Sequence, residues 1–147
     1  MHPDFKDLLS TFNAHRVEYL VVGAHALAAH GHVRATKDLD VWVRPEPGNA
    51  RRIMDALAAF GAPLHGTTVD DLSGSDFVLQ IGVAPVRIDV LTSITGVAFE
   101  EAWPARLRTT FDGEPVGVLS KQHLVQNKSA TGRLQDLADV EALTKSG

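Results

Sequence analysis

The chain has 147 residues, 44% hydrophobic and 22% charged, with a formal net charge of −4 and no cysteine. Disulfides and thiolate metal sites are therefore excluded, as is a global basic field for nucleic acid, and no apolar run approaches the ~18 residues of a membrane-spanning helix. The polar opening stretch from Met1 to Ser10 lacks the apolar core of a secretory signal, so a soluble cytoplasmic protein built as one domain is expected.

Taken in chain order, Phe5, Leu8, Leu9 and Phe12 fall on one face of a helix over Asp4 to His15. The apolar run Tyr19 to Val22 reads as a buried strand, with Gly23 as the turn that ends it. Ala24 to His30 makes a short helix stopped by Gly31. A loop from His32 to Lys37 brings Arg34 and Lys37 beside a second strand, Asp38 to Val43. Pro45, Pro47 and Gly48 break the chain before a helix over Asn49 to Phe60, capped by Gly48 or Asn49. Leu64 to Ser75 is polar and turn-rich, a surface connection with at most one helical turn. Asp76 to Gly82 and Pro85 to Thr92 form a hairpin. Gly96 to Arg106 is helical as far as Pro104. Leu107 to Phe111 and Pro115 to Leu119 flank Asp112-Gly113, a second hairpin signal. Ser120 caps a helix over Lys121 to Ala130, Gly132 interrupts it, and Leu134 to Leu143 forms the last helix. This order predicts an α+β fold, a small mixed β-sheet with helices packed on one side of it and two helices at the C-terminal end.

Alternation along a strand puts Asp38 and Asp40 on one face, ~6.6 Å apart, and Leu39, Val41 and Val43 on the other. Two adjacent carboxylates repel one another, so the pair must shift its acidity or take a cation. Hard oxygen donors suit Mg²⁺, which completes its shell with water and phosphate oxygens. A third carboxylate, Asp89, interrupts an apolar strand where Ile88 and Val90 face the core. Set beside Asp38 and Asp40, it would complete a three-carboxylate cluster able to hold two divalent ions.

Val22-Gly23-Ala24-His25-Ala26, the run from Arg34 to Val41 with Asp38-Leu39-Asp40, and the later Asp89 resemble the signature of the DNA polymerase β-like nucleotidyltransferase superfamily. With Asn127 to Arg133 and then Asp136 and Asp139, the chain resembles its minimal AbiEii-like prokaryotic branch, several members of which are toxins of toxin–antitoxin or abortive-infection systems. The resemblance spans Glu18 to Leu143. It implies the polymerase-β-like fold, Asp38, Asp40 and Asp89 as catalytic metal ligands for two Mg²⁺ ions, and Asp89 as an aid to deprotonating the acceptor. It also implies an NTP substrate, with the Gly23-Ala24 amides and Lys128 on the nucleotide side; Arg34 and Lys37, by their closeness to Asp38, suit either a phosphate or carboxylate contact at that site or a solvated loop. NMP would pass to a hydroxyl of an RNA end, a protein or a small molecule, and an antitoxin or a homodimer partner would complete the assembly. Ala24 departs from the family's Gly or Ser; it keeps the backbone N–H, loses the hydroxyl, and would be strained at positive φ.

Several residues carry a second reading. Asp89 also suits a structural ion pair with Arg87 or Arg34. Asp136 and Asp139 suit pairing with Arg133 and Lys145, or positioning of Lys128. Arg106, Arg108, Lys121, Lys128 and Arg133 suit a basic face for an RNA end. His25 and His30 do not share a helical face, which argues against zinc. Trp42 and Trp103 suit the core. The alternative to an enzyme is a non-catalytic nucleotide- or partner-binding member of the same fold, and a phosphohydrolase would use the same carboxylates.

Overall fold

The computed structural model describes residues 1–33, 38–83 and 86–145. The elements are α1 (Pro3–Ala14), β1 (Tyr19–Val22), α2 (Gly23–Ala29), β2 (Asp38–Val43), α3 (Pro47–Phe60), α4 (Val69–Ser73), β3 (Val78–Val83), β4 (Val86–Leu91), α5 (Phe99–Ala102), β5 (Leu107–Phe111), β6 (Glu114–Val118), α6 (Lys121–Thr131) and α7 (Leu134–Lys145). The strands form one mixed sheet in the order β3-β4-β2-β1-β6-β5. β2 runs parallel to β4 and β1 parallel to β6; the other neighbours are antiparallel. No helix among the described residues is long and apolar enough to cross a membrane.

The α+β class and the mixed sheet are as the residue pattern predicts, with two differences in detail. Helices cover both faces of the sheet rather than one. Phe12 of α1 meets Tyr19 edge-on at 5.7 Å, whereas Phe99 of α5 meets Trp42 edge-on at 5.0 Å. Tyr19 and Trp42 project from opposite faces, because Tyr19 pairs with Val43 and Leu20 with Trp42. The second difference is the cap of α3. Glu46, not Gly48 or Asn49, accepts from the first turn, its Oε1 bonded to the Asn49 N–H at 2.8 Å. Asn49 is instead fully buried, bonding Glu18 N–H and the carbonyls of Glu18 and Arg44. It staples the entry of β1 to the exit of β2, an arrangement invisible in the local pattern.

Elsewhere the turn chemistry holds. Asp112 and Gly113 both take positive φ, 50° and 83°, as a tight hairpin requires. Ser120 caps α6 by accepting from His123 N–H at 3.1 Å, and Gly132 ends it in the left-handed region. α4 supplies the single helical turn, closed by a Thr68–Asp71 capping box. Gly96 to Arg106 is less helical than expected, regular only over α5.

Candidate functional site

Two parallel neighbours create the site. The β2–β4 register pairs Asp38 with Arg87 and Asp40 with Asp89. Paired residues on adjacent strands share a face, so these four side chains form a small array. Its rows are about 4.8 Å apart across the strands and its columns about 6.6 Å along them. The array holds three carboxylates and one guanidinium. Sequence alternation placed Asp38 and Asp40 on one face, and the parallel register brings Asp89 to the same face.

Arg87 stands between the acids. Its Nη2 lies 3.1 Å from Asp38 Oδ2 and 3.2 Å from Asp89 Oδ2, and its Nε is 3.0 Å from Asp89 Oδ1. That last approach is an ion pair without hydrogen-bond geometry, and both atoms are buried with no hydrogen-bond partner among the described residues. In this arrangement no three His, Asp or Glu side chains of the described residues are set to hold a metal ion. The Arg87 guanidinium lies between Asp38 and Asp89 instead. The oxygen-only donor set and the unbonded Asp89 Oδ1 nevertheless fit a hard divalent cation once Arg87 withdraws.

The acidities follow from this crowding. Burial, then Asp89, then Asp38 push the Asp40 carboxyl up to about 6, against smaller opposing effects of Arg87 and Lys128. Burial raises Asp89 too, the Arg87 charge and hydrogen bond only partly offsetting it. Asp38 sits nearest solvent, with 39% of its side chain exposed against 12% for Asp89. The array therefore has an open rim at Asp38 and a dry floor at Asp89.

Gly23 closes one side. Val22 pairs with Asp40 across β1–β2, and Gly23 takes φ +70° at the start of α2. A Cβ on Gly23 would collide with Asp40 Oδ2 and lie 3.2 Å from its Cγ. The left-handed conformation thus falls on Gly23, and Ala24, inside α2, is free of the strain that positive φ would bring. Gly23→Ala should destabilise the fold by on the order of 2 kcal/mol, from backbone strain plus the Asp40 collision. Denaturant melts read this as a lowered midpoint; an unchanged midpoint would mean that the turn relaxes freely.

Lys128 approaches the array from α6 and lowers the acidity shift at Asp40. It is 7% exposed, and its Nζ donates to Asp136 Oδ1 at 3.1 Å and Asp139 Oδ2 at 2.9 Å, both on α7. Thr131 and Arg133 also donate to Asp136, and Gln135 to Asp139. Burial pushes the Asp136 carboxyl up, but the hydrogen bonds from Thr131, Arg133 and Lys128 outweigh it and hold the group below its ordinary range. Of the two pairings expected for the helix aspartates, Asp136 meets Arg133 and both meet Lys128, while Lys145 pairs with Glu141. An ammonium has three donors, so two are committed here.

Arg34 and Lys37 lie outside the described residues. His30 bonds the Leu119 carbonyl at 2.8 Å, and His25 packs on Phe5 and Phe111. Trp42 is core, as expected. The residue reading overlooked Gln80, exposed on β3, which pairs with Asp89 and shares its face. Alternation through β3, combined with the hairpin register, was the signal for it.

No family model matches the chain, and no curated protein matches it by sequence. Solved structures do share its fold. A proposed nucleotidyltransferase from Thermotoga maritima superposes with a TM-score of 0.58 at 14% identity, over 96% of this chain and 88% of that one. The lincosamide antibiotic adenylyltransferase LnuA, solved with lincomycin bound, gives 0.63 at 15% identity, over 98% and 96%. The antibiotic-resistance factor ANT(2'')-Ia, in complex with adenylyl-2''-tobramycin, gives 0.60 at 11% identity, over 97% and 86%. The α+β architecture found here is the fold of these nucleotidyltransferases.

Proposed function

From that fold and from the acidic array at its centre, we propose that the chain is a nucleotidyltransferase. It transfers a nucleoside monophosphate from an NTP to a hydroxyl group, with a small molecule as the favoured acceptor. The observation that carries the reading is the β2–β4 register, which aligns Asp40 with Asp89 and sets three carboxylates on one face. The acceptor class draws support from two of the fold relatives, the lincosamide adenylyltransferase LnuA and ANT(2'')-Ia with its adenylyl-2''-tobramycin. RNA ends and protein hydroxyls belong in the same screen.

The acceptor oxygen bonds to the α-phosphorus, the bond to the β-phosphate oxygen breaks, and pyrophosphate leaves. Asp38, Asp40 and Asp89 would hold the divalent cation, Mg²⁺ by preference, which supplies neutralisation of charge developing on the phosphoryl oxygens. Asp89, buried and of raised proton affinity, takes the hydroxyl proton. The Gly23-Ala24 turn borders Asp40 and offers backbone N–H groups to the triphosphate. The remaining donor of Lys128 serves the nucleotide phosphates, its direction set by Asp136 and Asp139. Arg87 leaves the array when nucleotide and cation enter, its charge remaining available to the triphosphate.

A second reading rests on Arg87 itself. A guanidinium locked across Asp38 and Asp89 would make the chain a nucleotide-binding protein without turnover. Incubation with α-labelled NTPs, Mg²⁺, and a panel of aminoglycosides, lincosamides, total RNA and lysate separates the two. Transfer of label that disappears with Asp38→Ala is the expected result. Nucleotide binding with no adduct to any acceptor supports the binding protein, and released phosphate without adduct supports a hydrolase.

A further inference from the structure

A cavity of about 260 Å³ lies at the far end of β1 from the acidic array. It opens where β1 and β6 part. The two strands pair at Val21 and Val118, and the cavity is bordered by Tyr19 of β1 and by Val116 and Gly117 of β6. Tyr19 pairs with Val43, three residues from Asp40, so the centres are separated by at least ~10 Å along the strands.

Two guanidiniums converge there. Arg106 and Arg108 both border the cavity and repel each other. Burial first, then this repulsion, draw the Arg106 pKa down, against an opposing effect of Glu18. Arg44, Arg52, Arg87 and Arg133 each lie within 4 Å of a carboxylate. Arg106 and Arg108 have no such partner among the described residues. Arg16 and Arg51 share that lack, but Arg106 and Arg108 border one concavity together, with Glu18 attracting Arg106 from beyond 4 Å.

Arg106 is also fixed in place. Its guanidinium carbon sits 3.8 Å from the centre of the Trp103 ring, and its Nη1 donates to the Trp103 carbonyl at 2.7 Å. Gly117 makes room for it, since a Cβ there would lie 3.0 Å from Arg106 Cδ. One N–H of the fork is used and the rest remain. A rigid, stacked, partly desolvated arginine binds an oxyanion at low entropic cost.

We propose that this cavity is a binding site for a small oxyanion-bearing ligand, a phosphate monoester or a carboxylate with a short apolar body, distinct from the nucleotide site. The guanidiniums take the anion, Thr109 adds a polar contact, and Val17, Val116 and Pro115 take the apolar part; Asn13 is already committed to Glu114, Pro115 and Tyr19. The volume lies just below the ~300–1,000 Å³ of most small-molecule pockets, which excludes a nucleoside triphosphate. A nucleic-acid face is disfavoured because Lys128 and Arg133 do not join the pair. Lys128 is buried and Arg133 is tied to Asp136, and two cations alone give little purchase on a strand.

The test is a titration of the full chain with phenyl phosphate and with benzoate in EDTA-containing buffer, followed by calorimetry or amide chemical shifts. Saturable binding of at least one probe tighter than about 1 mM is expected, weakened at least tenfold by Arg106→Gln and by Arg108→Gln and unchanged in Asp40→Asn. Arg108 is exposed, so its substitution leaves the fold intact should Arg106→Gln fail to fold. Preference for one probe identifies the ligand as phosphate or carboxylate. Binding of neither probe, equal affinity in Arg108→Gln, equal loss in Asp40→Asn, or far tighter binding of a single-stranded oligonucleotide would each overturn the proposal.

Discussion

Asp40→Asn should cut nucleotidyl transfer by at least about 100-fold, the scale for losing one preorganised electrostatic group at a reacting centre, and at the same time make the metal-free protein more stable at neutral pH. The sign follows from the Asp40 carboxyl, held at about 6 in the fold against an ordinary value near 3.8. A carboxyl raised in the fold binds its proton more tightly there than in the unfolded chain. Its contribution is fully present below about pH 4 and is lost as the pH rises to about 6. At pH 7.5 the wild-type protein carries a half-buried, crowded carboxylate, and the asparagine does not. Allowing for partial solvent access, relief of roughly 1–2 kcal/mol is expected, or about 3–6 °C in melting temperature. At pH 4 the two proteins should melt together. Thermal melts across pH 4–8 in EDTA read this directly; a stability gap that ignores pH would mean that Asp40 is not crowded by Asp38 and Asp89.

Lys128→Met should be strongly destabilising, costing about 2–4 kcal/mol, because it leaves Asp136 and Asp139 buried without their shared cation. The lower end applies if Thr131, Arg133 and Gln135 compensate. Asp139→Asn alone should cost about 1 kcal/mol, since the amide can still accept from Lys128. Adding Asp139→Asn to Lys128→Met should recover part of the loss, because it removes one of the stranded charges. A double-mutant cycle from denaturant melts measures that coupling. Purely additive losses would show that the three groups do not act as one buried unit.

These two results probe features that differ in how far the sequence discloses them. Strand alternation alone assigns the faces of Asp38, Asp40 and Asp89, because a period of two leaves no freedom once the strands are recognised. Asp112-Gly113 and Ser120 likewise announce a hairpin and a cap through local chemistry. The parallel pairing of β2 with β4 is different. It joins strands separated by α3, α4 and β3, and no local signal sets its register, yet that register is what makes Asp40 and Asp89 neighbours. Arg87 illustrates the same limit. It sits two residues before Asp89, and only the β2 partner shows that it also reaches Asp38. The Lys128 bridge depends on the angle at which α7 folds back after Gly132, a tertiary quantity. The helices on both faces follow from α5 bringing Phe99 onto Trp42, a long-range contact that periodicity does not encode.

A crystal structure of the protein with Mg²⁺ and a non-hydrolysable NTP tests the central claim most directly. The triphosphate should lie between the Gly23 turn and β4, with Asp38, Asp40 and Asp89 oxygens on the metal and the Arg87 guanidinium withdrawn from between them. Nucleotide bound elsewhere, with Arg87 still spanning Asp38 and Asp89, would contradict it.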